Sequence, residues 1–273
     1  MVPSRTLEAF CSHAKGAALA VLRSPTLFGT IIDMASNPQP RSLPAWFIDE
    51  LNYAGRENLD ADHVERYDAK EDAGARDEVA LLKELGLTRE SLVVEFGAGT
   101  GQFTIEVAPA CARVHAVDVS PLMLDQLRAK VTRLELSNVE VVHSGFLTYD
   151  HAGSPADFIY SRFALHHIPD FWKAVALSRL RHMIRPGGFL RLWDVVYDFD
   201  PSEAETRIEA WCAQYDDATE GEWSRADLEE HVRDEYSTFS WVLEPMIERS
   251  GFEIARVEHS ADRVFSKYVL RAA

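Results

Sequence analysis

Short apolar runs alternate with segments of helical spacing through the middle of the chain, from Leu92 to Val196. A short apolar run predicts a buried strand, whereas apolar residues recurring every three or four positions predict a helix. Repeated strand–helix alternation favours a parallel sheet with helices on both faces. The predicted strands are Leu92–Val94 with Glu95 at its end, Arg113–Val117, Val139–His143, Asp157–Ser161 and Phe189–Val196.

Helix signals lie between these strands and before the first of them. Asp77–Leu85 has helical spacing, and Gly86 follows it as a stop signal. Ser120–Leu134 is predicted as a helix with a proline in its first turn. We expect Asp170 to cap a helix over Phe171–Met183.

The strand–helix alternation stops after the fifth predicted strand. Residues 197–250 contain helical stretches at Pro201–Tyr215 and Ser224–Glu235. This segment is long for a crossover, so it is predicted to be an acidic helical lid inserted after that strand. Two further strands, Phe252–Glu258 and Val264–Leu270, are predicted to form a hairpin.

Residues 1–45 contain five prolines and are predicted to be a poorly ordered extension. A targeting peptide and a start misassigned upstream of Met34 are both open explanations for this stretch. Residues 46–86 are predicted to form a helical cap, and residues 46–273 to form a single domain that includes it.

Three glycines, at positions 97, 99 and 101, follow the first predicted strand. A tight strand-to-helix turn requires φ values that side chains resist, and a ligand approaches the backbone closely only where Cβ is missing. The N–H groups at the following helix start favour a negative or strongly polar ligand group. An ordinary loop is the alternative for a glycine-rich turn taken alone.

The spacing of these glycines separates two cofactor classes. The dinucleotide pattern G-x-G-x-x-G requires a small residue where this chain has Gln102, which disfavours a nicotinamide-dependent oxidoreductase. The pattern present over residues 95–101 is E-x-G-x-G-x-G, which resembles motif I of the class I methyltransferases that use S-adenosylmethionine. Leu165-His166-His167 and Arg185-Pro186-Gly187-Gly188 extend the resemblance, which covers about residues 60–196 and the C-terminal hairpin.

The resemblance implies a fold and a cofactor. The fold is an α/β, Rossmann-like, doubly wound sheet of about seven strands, mostly parallel with an antiparallel last strand, plus helical lid elements. The cofactor is S-adenosylmethionine, with Glu95 near its methionine moiety. Asp118 ends the second strand 17 residues beyond Gly101, where a ribose-binding acid is expected. The implied cofactor-binding residues are Glu95, Gly97, Ala98, Gly99, Thr100, Gly101, Asp118, Val119, Met123, Gly145 and Phe146.

Methyl transfer from a sulfonium is an in-line displacement with a neutral leaving group. The protein therefore mainly has to align the nucleophile and exclude water. His166 and His167 are candidates for a general base near neutral pH, with positioning of their loop as the alternative role. The substrate-pocket candidates, for which simple packing is the alternative, are Tyr67, Arg162, Trp193, Asp194 and Tyr197.

Two patterns are missing from the sequence, and their absence reduces the range of substrates and metal sites that we expect. No [D/N]-P-P-[F/Y] tetrad follows the fourth predicted strand, which disfavours methylation of nucleobase amines and glutamine amides. No grouping of His, Cys and Asp has the spacing of metal ligands along the chain, so no metal is predicted.

The net charge of −16 argues against nucleic acid as a partner, because phosphate binding requires a basic face. Residues 197–250 hold 16 acidic residues against four arginines and no lysine. A solvated lid surface and an acidic mouth that attracts a cationic substrate are both open explanations. Three widely spaced cysteines predict reduced thiols in the cytoplasm, and no apolar run is long enough to predict a membrane span.

Together these features predict a methyltransferase (EC 2.1.1 type) acting on O, N or C of a small molecule. The alternative is a non-catalytic protein of the same fold that binds S-adenosylmethionine as a regulator or interaction module. The sequence does not specify the substrate, the methylated atom or the oligomeric state.

Overall fold

The computed structural model describes residues 43–55, 58–70, 74–218 and 223–273. Most of the predicted extension at residues 1–45 lies outside the described residues. Contacts divide the chain into one unit that ends at Phe47 and a second unit from Ile48 to Ala273. The sheet, the helices and the cavities described below belong to the second unit.

Five parallel strands form the centre of a mixed sheet, and an antiparallel hairpin completes it. The strand order is β3-β2-β1-β4-β5-β8-β7, and the short β6 pairs with the end of β5. This arrangement confirms the predicted fold class. The strands are β1 (Leu92–Phe96), β2 (Arg113–Asp118), β3 (Val139–His143), β4 (Ala156–Arg162), β5 (Ile184–Tyr197), β6 (Thr238–Phe239), β7 (Phe252–His259) and β8 (Phe265–Ala272).

Helices connect these strands and precede the first of them, and the helix bounds agree with most of the sequence predictions. In the described part of the predicted N-terminal cap, a 3-10 turn over Glu50–Tyr53 precedes the first helix. The helices are α1 (Ala61–Lys70), α2 (Ala75–Glu84), α3 (Gln102–Val107), α4 (Pro121–Arg133), α5 (Asp170–Met183), α6 (Ala204–Cys212), α7 (Arg225–Asp234) and α8 (Ser240–Arg249).

Asp170 does not cap α5 as predicted. The extended backbone of Pro169 places that residue at the N-cap, so Asp170 becomes the first residue of the helix. The Asp170 carboxylate instead accepts from Lys173 Nζ at 2.8 Å and from Thr238 Oγ1 at 3.3 Å. Asp170 therefore fastens α5 to the segment after α7.

The core beneath the glycine turn joins α2 and α3 to the central strands. Val79 of α2 and Val107 of α3 are fully or nearly fully buried with Val93 of β1. The rings of Phe103 and Tyr160 stack with their centroids 3.7 Å apart. Burial of this apolar surface fixes the start of α3, and hence the turn that leads into it.

The inserted segment has a small core of its own, which is attached to the end of β5. Tyr197 and Phe199 pack there with Trp211 of α6 and Leu228 of α7. This packing holds α6 and α7 beside the carboxyl edge of the sheet. No helix in the described ranges is both long and apolar enough to cross a bilayer. Cys111 and Cys212 are buried free thiols.

Candidate active site

The crevice at the carboxyl edge of the sheet opens where the strand order reverses. The chain runs from β1 outward to β2 and β3, and from β4 outward to β5 in the other direction. The loops after β1 and β4 therefore diverge, and ligands of open α/β sheets bind at such a point. The glycine turn follows β1, and the 3-10 turn Leu165–His167 follows β4 shortly afterwards.

The three glycines of the turn have different roles. All have positive φ, at +71° for Gly97, +52° for Gly99 and +87° for Gly101. A Cβ on Gly97 would overlap the Cβ of Ala164, and one on Gly101 would overlap the side chain of Leu127. A Cβ on Gly99 would meet nothing within 4 Å. Gly97 and Gly101 therefore allow close packing of the protein, whereas Gly99 leaves bare backbone beside open space.

Asp118, at the end of β2, lies directly beside this turn. Its carboxylate accepts from the backbone N–H of Gly99 at 2.8 Å and from that of Ser120 at 2.7 Å. Burial raises the pKa of Asp118, although these N–H donors act in the opposite direction. A carboxylate has about four acceptor sites, so sites remain for ligand hydroxyls.

Glu95 is buried at the end of β1 and borders a small pocket of about 40 Å³ beside the glycine turn. Thr104 Oγ1 donates to its carboxylate. Burial raises the pKa of Glu95 to about 8, against the effect of the Thr104 hydrogen bond. Glu95 is therefore largely protonated at neutral pH and would ionise when a cation binds beside it.

Helix α1 is tied to the glycine turn through Asp68. The Thr100 hydroxyl and the Lys130 ammonium both donate to the Asp68 carboxylate, and Lys130 Nζ also donates to the Thr100 carbonyl at 2.9 Å. The side chain of Thr100, a predicted cofactor-binding residue, is thus engaged by α1. Only the backbone of Thr100 is left to contribute to the turn.

The loop that contains Gly145 and Phe146, two predicted cofactor-binding residues, receives a carboxylate from elsewhere in the chain. The buried Glu50 accepts from the backbone N–H of Leu147 at 3.1 Å, and a Cβ on Gly145 would overlap its carboxylate. Burial raises the pKa of Glu50 to about 7 against the effect of these backbone donors. Phe146 stacks on Phe96 with centroids 5.0 Å apart, so its ring packs against the end of β1.

Asn58 lies between the crevice and the turn after β4. Its carbonyl accepts from Ser120 Oγ, and its side-chain amide lies 3.5 Å from His167 Nε2. Ser120 also caps α4 through Met123 N at 3.2 Å. The segment before α1 therefore connects the end of β2 to the end of β4.

A cavity of about 590 Å³ lies beside the turn after β4. Tyr67 and Arg162 line both this cavity and the small pocket beside Gly99, so the two spaces meet at these side chains. Two of the five predicted substrate-pocket residues, Tyr67 and Arg162, thus lie at the junction, and a third, Trp193, lines the large cavity. The aromatic residues that line the large cavity are Tyr67, Phe163, Trp193, Trp211, Tyr215, Trp223 and Phe265.

Charged side chains of both signs line this cavity. The Arg162 guanidinium lies 4.4 Å from the Trp193 ring centroid, and Lys267 Nζ lies 3.5 Å from the same centroid. Three acids of the inserted segment, Asp227, Glu230 and Glu235, also line the cavity. The lid thus contributes acids to the cavity wall, and not only to the solvated surface.

His166 lies buried between two carboxylates. Its Nδ1 contacts Asp194, its backbone N–H donates to the same carboxylate at 3.1 Å, and its Nε2 lies 3.1 Å from Glu235 Oε2. Burial lowers the pKa of His166, but the two carboxylates outweigh burial and raise it to about 10. With both ring nitrogens engaged, His166 is held as a positioning group and is poorly suited to act as a general base.

His167 lines the cavity next to His166. Burial lowers its pKa to about 3, and the neighbouring His166 acts in the same direction. A base of such low proton affinity accelerates proton removal little. The geometry therefore gives no support to a general-base role for either histidine.

Three of the predicted site residues do not face the crevice or the cavity. The Asp194 carboxylate contacts Nδ1 of His166. The ring of Tyr197 packs on that of Phe199 in the core of the lid, with the two centroids 5.4 Å apart. Met123 is fully buried on the inward face of α4. Each has an apolar or hydrogen-bonded environment that sequence spacing alone does not reveal.

Comparisons with known proteins agree with this geometry. A family model described as a methyltransferase domain matches residues 93–188. Residues 93–188 are therefore similar to a methyltransferase domain. This confirms the resemblance predicted from the glycine turn. The matched segment runs from β1 to the turn inside β5, and it includes the glycine turn, Asp118 and the histidine pair.

Relatives of the methyltransferase domain occur in several bacteria. An uncharacterized methyltransferase of Staphylococcus carnosus (strain TM300) is 30% identical over 118 residues, which are 43% of this chain and 54% of that protein. Another, of Anoxybacillus flavithermus (strain DSM 21510 / WK1), is 28% identical over 164 residues, 60% of this chain and 70% of that protein. The alignment thus spans only about half of the Staphylococcus protein.

A solved structure shows the same fold. The crystal structure of a SAM-dependent methyltransferase from Aquifex aeolicus aligns with a TM-score of 0.54 and 20% identity. The alignment covers 78% of this chain and 100% of that one. The segment that contains α6 and α7 lies outside the residues matched by the family model.

Proposed function

We propose that this protein is an S-adenosylmethionine-dependent methyltransferase that acts on a small molecule. The observation that carries the proposal is the junction at Tyr67 and Arg162, where the open space beside Gly99 meets the cavity of about 590 Å³. A donor resting on the glycine turn would face an acceptor in the cavity. The substrate, the methylated atom and the partners remain part of the proposal.

The residues at the crevice suit the proposed cofactor. Bare backbone at Gly99 accepts close approach of a ligand, Asp118 retains acceptor capacity for ribose hydroxyls, and Glu95 can ionise beside an ammonium group. When bound, S-adenosylmethionine supplies an electrophilic methyl group on a sulfonium. The protein residues then have to position the acceptor and keep water out.

Alignment is the main catalytic contribution that we propose. Holding an acceptor against the donor supplies ~7–11 kcal/mol of barrier reduction, whereas a general base supplies ~10²–10⁴-fold in rate. The hydrogen bonds of Asn58 and Asp68 hold the N-terminal segment and α1 over the crevice, and this restricts access of water. Transfer thus does not depend on His166 or His167 as bases.

The cavity wall favours a substrate with an apolar or aromatic body and a basic group. Its aromatic lining suits flat or apolar surface, and Asp227 and Glu230 would face a cation near the lid. The acidic residues of the inserted segment would then attract a cationic substrate, besides forming a solvated surface. Competition assays should show an amine binding more tightly than the neutral alcohol of the same shape.

Cofactor binding is tested by calorimetry on the full chain. We expect S-adenosylhomocysteine affinity to fall at least tenfold in Asp118→Ala, which removes a charge-assisted partner worth about 1.5–3 kcal/mol. Gly99→Val should have a similar effect, because its side chain fills the open space beside the turn. Asp125→Ala, on the exposed face of α4, is the matched control and should bind normally. Unchanged affinity in both site variants would remove the proposed cofactor site.

Turnover separates an enzyme from a binding module. We expect tritium from methyl-labelled S-adenosylmethionine to enter one component of a small-molecule extract. Cofactor binding without transfer to any component would favour the non-catalytic regulator, and a response to a nicotinamide dinucleotide would favour an oxidoreductase.

A further inference from the structure

Three imidazole rings converge on one carboxylate oxygen at the wall of the large cavity. Glu235 Oε2 lies 3.1 Å from His166 Nε2, 3.9 Å from His167 Nδ1 and 2.5 Å from His231 Nδ1. One ligand atom each from His166, His167 and Glu235 lies within 4.8 Å of the other two. The histidines follow β4 and the glutamate follows α7, so the lid completes the group.

These separations suit a tetrahedral metal site. Two ligand atoms bound to zinc at ~2.0–2.1 Å are ~3.3 Å apart when the angle between them is tetrahedral. The measured separations of 3.1 Å and 3.9 Å from Glu235 Oε2 lie on either side of that value. The three ligand atoms all lie within 4.8 Å of one another, so one ion could contact all three residues once the longer separations shorten.

A second layer of contacts orients the ligand atoms. The Asp194 carboxylate contacts His166 Nδ1, which leaves Nε2 as the nitrogen directed at Glu235. A carboxylate on the far nitrogen is the usual partner of a metal-binding histidine, because it fixes both the ring and the tautomer. His231 is held in turn by Ser237 Oγ, 2.8 Å from its Nε2.

The charge of the group also suits a divalent cation. Asp194 and Glu235 bring two carboxylates into a buried environment, where side-chain exposure is 2% and 14%. Buried carboxylates require compensation, and in the part of the chain that the structure describes His166 alone contacts both of these. A dication bound by neutral imidazoles would balance the two carboxylates and replace the contact between His166 Nε2 and Glu235.

We propose that His166 Nε2, His167 Nδ1 and Glu235 Oε2 bind a divalent transition-metal ion. Imidazole ligands favour zinc, cobalt, nickel, copper or iron over magnesium and calcium. The three residues line the cavity, so a substrate oxygen or nitrogen would complete the coordination. Spacing along the sequence predicts no metal here, because the third proposed ligand lies 68 positions beyond His167. The inference does not depend on the proposed transfer reaction.

The test uses cobalt(II) with the full-length, chelator-treated protein. We expect one equivalent to bind with the visible absorption of a tetrahedral nitrogen and oxygen site, and zinc to displace it. Glu235→Gln and His167→Gln should each weaken cobalt binding at least tenfold. His259→Gln is the matched control, since His259 lines the same cavity but contacts Ser266 and Asp198 instead.

Circular dichroism of each variant shows whether the fold is retained. Absence of the cobalt absorption in the wild-type protein would overturn the inference, as would equal loss of binding in the control. An unchanged spectrum in folded Glu235→Gln would assign cobalt to some other histidines and would also overturn it.

Cofactor calorimetry on the same samples separates the two proposals. Cobalt binding that is lost in Glu235→Gln supports the metal site, even if S-adenosylhomocysteine fails to bind. Cofactor binding in a protein that never takes up cobalt supports the proposed function and rejects the metal site.

Discussion

The backbone N–H of Gly99 donates to the carboxylate of Asp118 across 2.8 Å. This contact joins the turn after β1 to the end of β2, so the two elements of the proposed cofactor site hold each other in place. Asp118 thus has a structural task in addition to the proposed binding of ribose hydroxyls.

The two tasks of Asp118 predict different effects for two substitutions. Asp118→Asn keeps an acceptor for one of the two N–H groups and should lower stability less than Asp118→Ala, while it weakens cofactor binding. Asp118→Ala leaves the N–H groups of Gly99 and Ser120 without their acceptor and should cost about 1–3 kcal/mol of unfolding free energy. Urea unfolding and calorimetry measure the two effects separately. Equal stability of the two variants would contradict the structural task.

Gly101 should tolerate a side chain less well than other glycines with positive φ. Gly101→Ala places a methyl group against Leu127, which adds ~1–3 kcal/mol of overpacking to ~1–2 kcal/mol of backbone strain. Gly153→Ala is the control, because its φ of +98° is similar and nothing lies within 4 Å of its Cβ position. Thermal unfolding should show the larger loss at Gly101, and equal losses would argue against close packing on α4.

Glu95 should make the protein less stable as pH rises. Its pKa is raised from about 4.5 to about 8 in the folded protein, so between these values the folded state holds a proton that the unfolded state has lost. The free energy of unfolding therefore falls as pH increases through this window. Glu95→Gln should remove this contribution and be more stable at pH ~8.5 by roughly 2–5 kcal/mol. Urea midpoints at two pH values measure it, and a variant with the wild-type slope would contradict the assignment.

The same group predicts proton release on cofactor binding. An ammonium group placed beside Glu95 favours the ionised carboxylate. Calorimetric enthalpies measured near pH ~7 should therefore depend on the ionisation enthalpy of the buffer in the wild type, and should depend on it less in Glu95→Gln.

Removing one partner of the buried ion pair between α2 and β5 should destabilise the protein more than replacing both partners by apolar side chains. Arg191 donates to the two oxygens of Glu78 at 2.7 Å and 2.9 Å. Glu78→Leu alone should cost ~3–5 kcal/mol, because it leaves a buried guanidinium uncompensated. The double variant with Arg191→Met should recover most of that loss.

The exposed pair Arg76–Glu106, whose nitrogen and oxygen are 3.9 Å apart, supplies the comparison. Glu106→Gln should change the free energy of unfolding by less than ~1 kcal/mol. Additive effects of Glu78→Leu and Arg191→Met in a double-mutant cycle would show that the pair is not coupled.

Local patterns in the sequence predicted the sheet, the glycine turn and the position of Asp118. Each depends on residues that are near one another in the chain, since the strand, its turn and the acid follow within about 20 positions. The C-terminal hairpin was predicted for the same reason. Its register with β5 has no local signature, because that pairing joins distant segments.

The side chains that complete the site could not be predicted in this way. Glu50 reaches Leu147 across 97 positions, and Asn58 reaches Ser120 across 62. Asp68 lies in α1 and Glu235 directly follows α7, and the charged residues of both polar helices have the spacing of an ordinary solvated surface. Tertiary packing decides which of these carboxylates turns inward, and no pattern within either helix records that choice.

Tyr67 and Arg162 line both ligand compartments at the place where the two meet. Neither compartment can change its shape at this wall without changing the other. Substitutions at these positions that favour a new methyl acceptor would therefore also change how tightly the methyl donor is bound. Diversification of substrate range is therefore more easily accommodated on the far side of the large compartment, where Trp211, Tyr215 and Asp227 belong to the inserted lid.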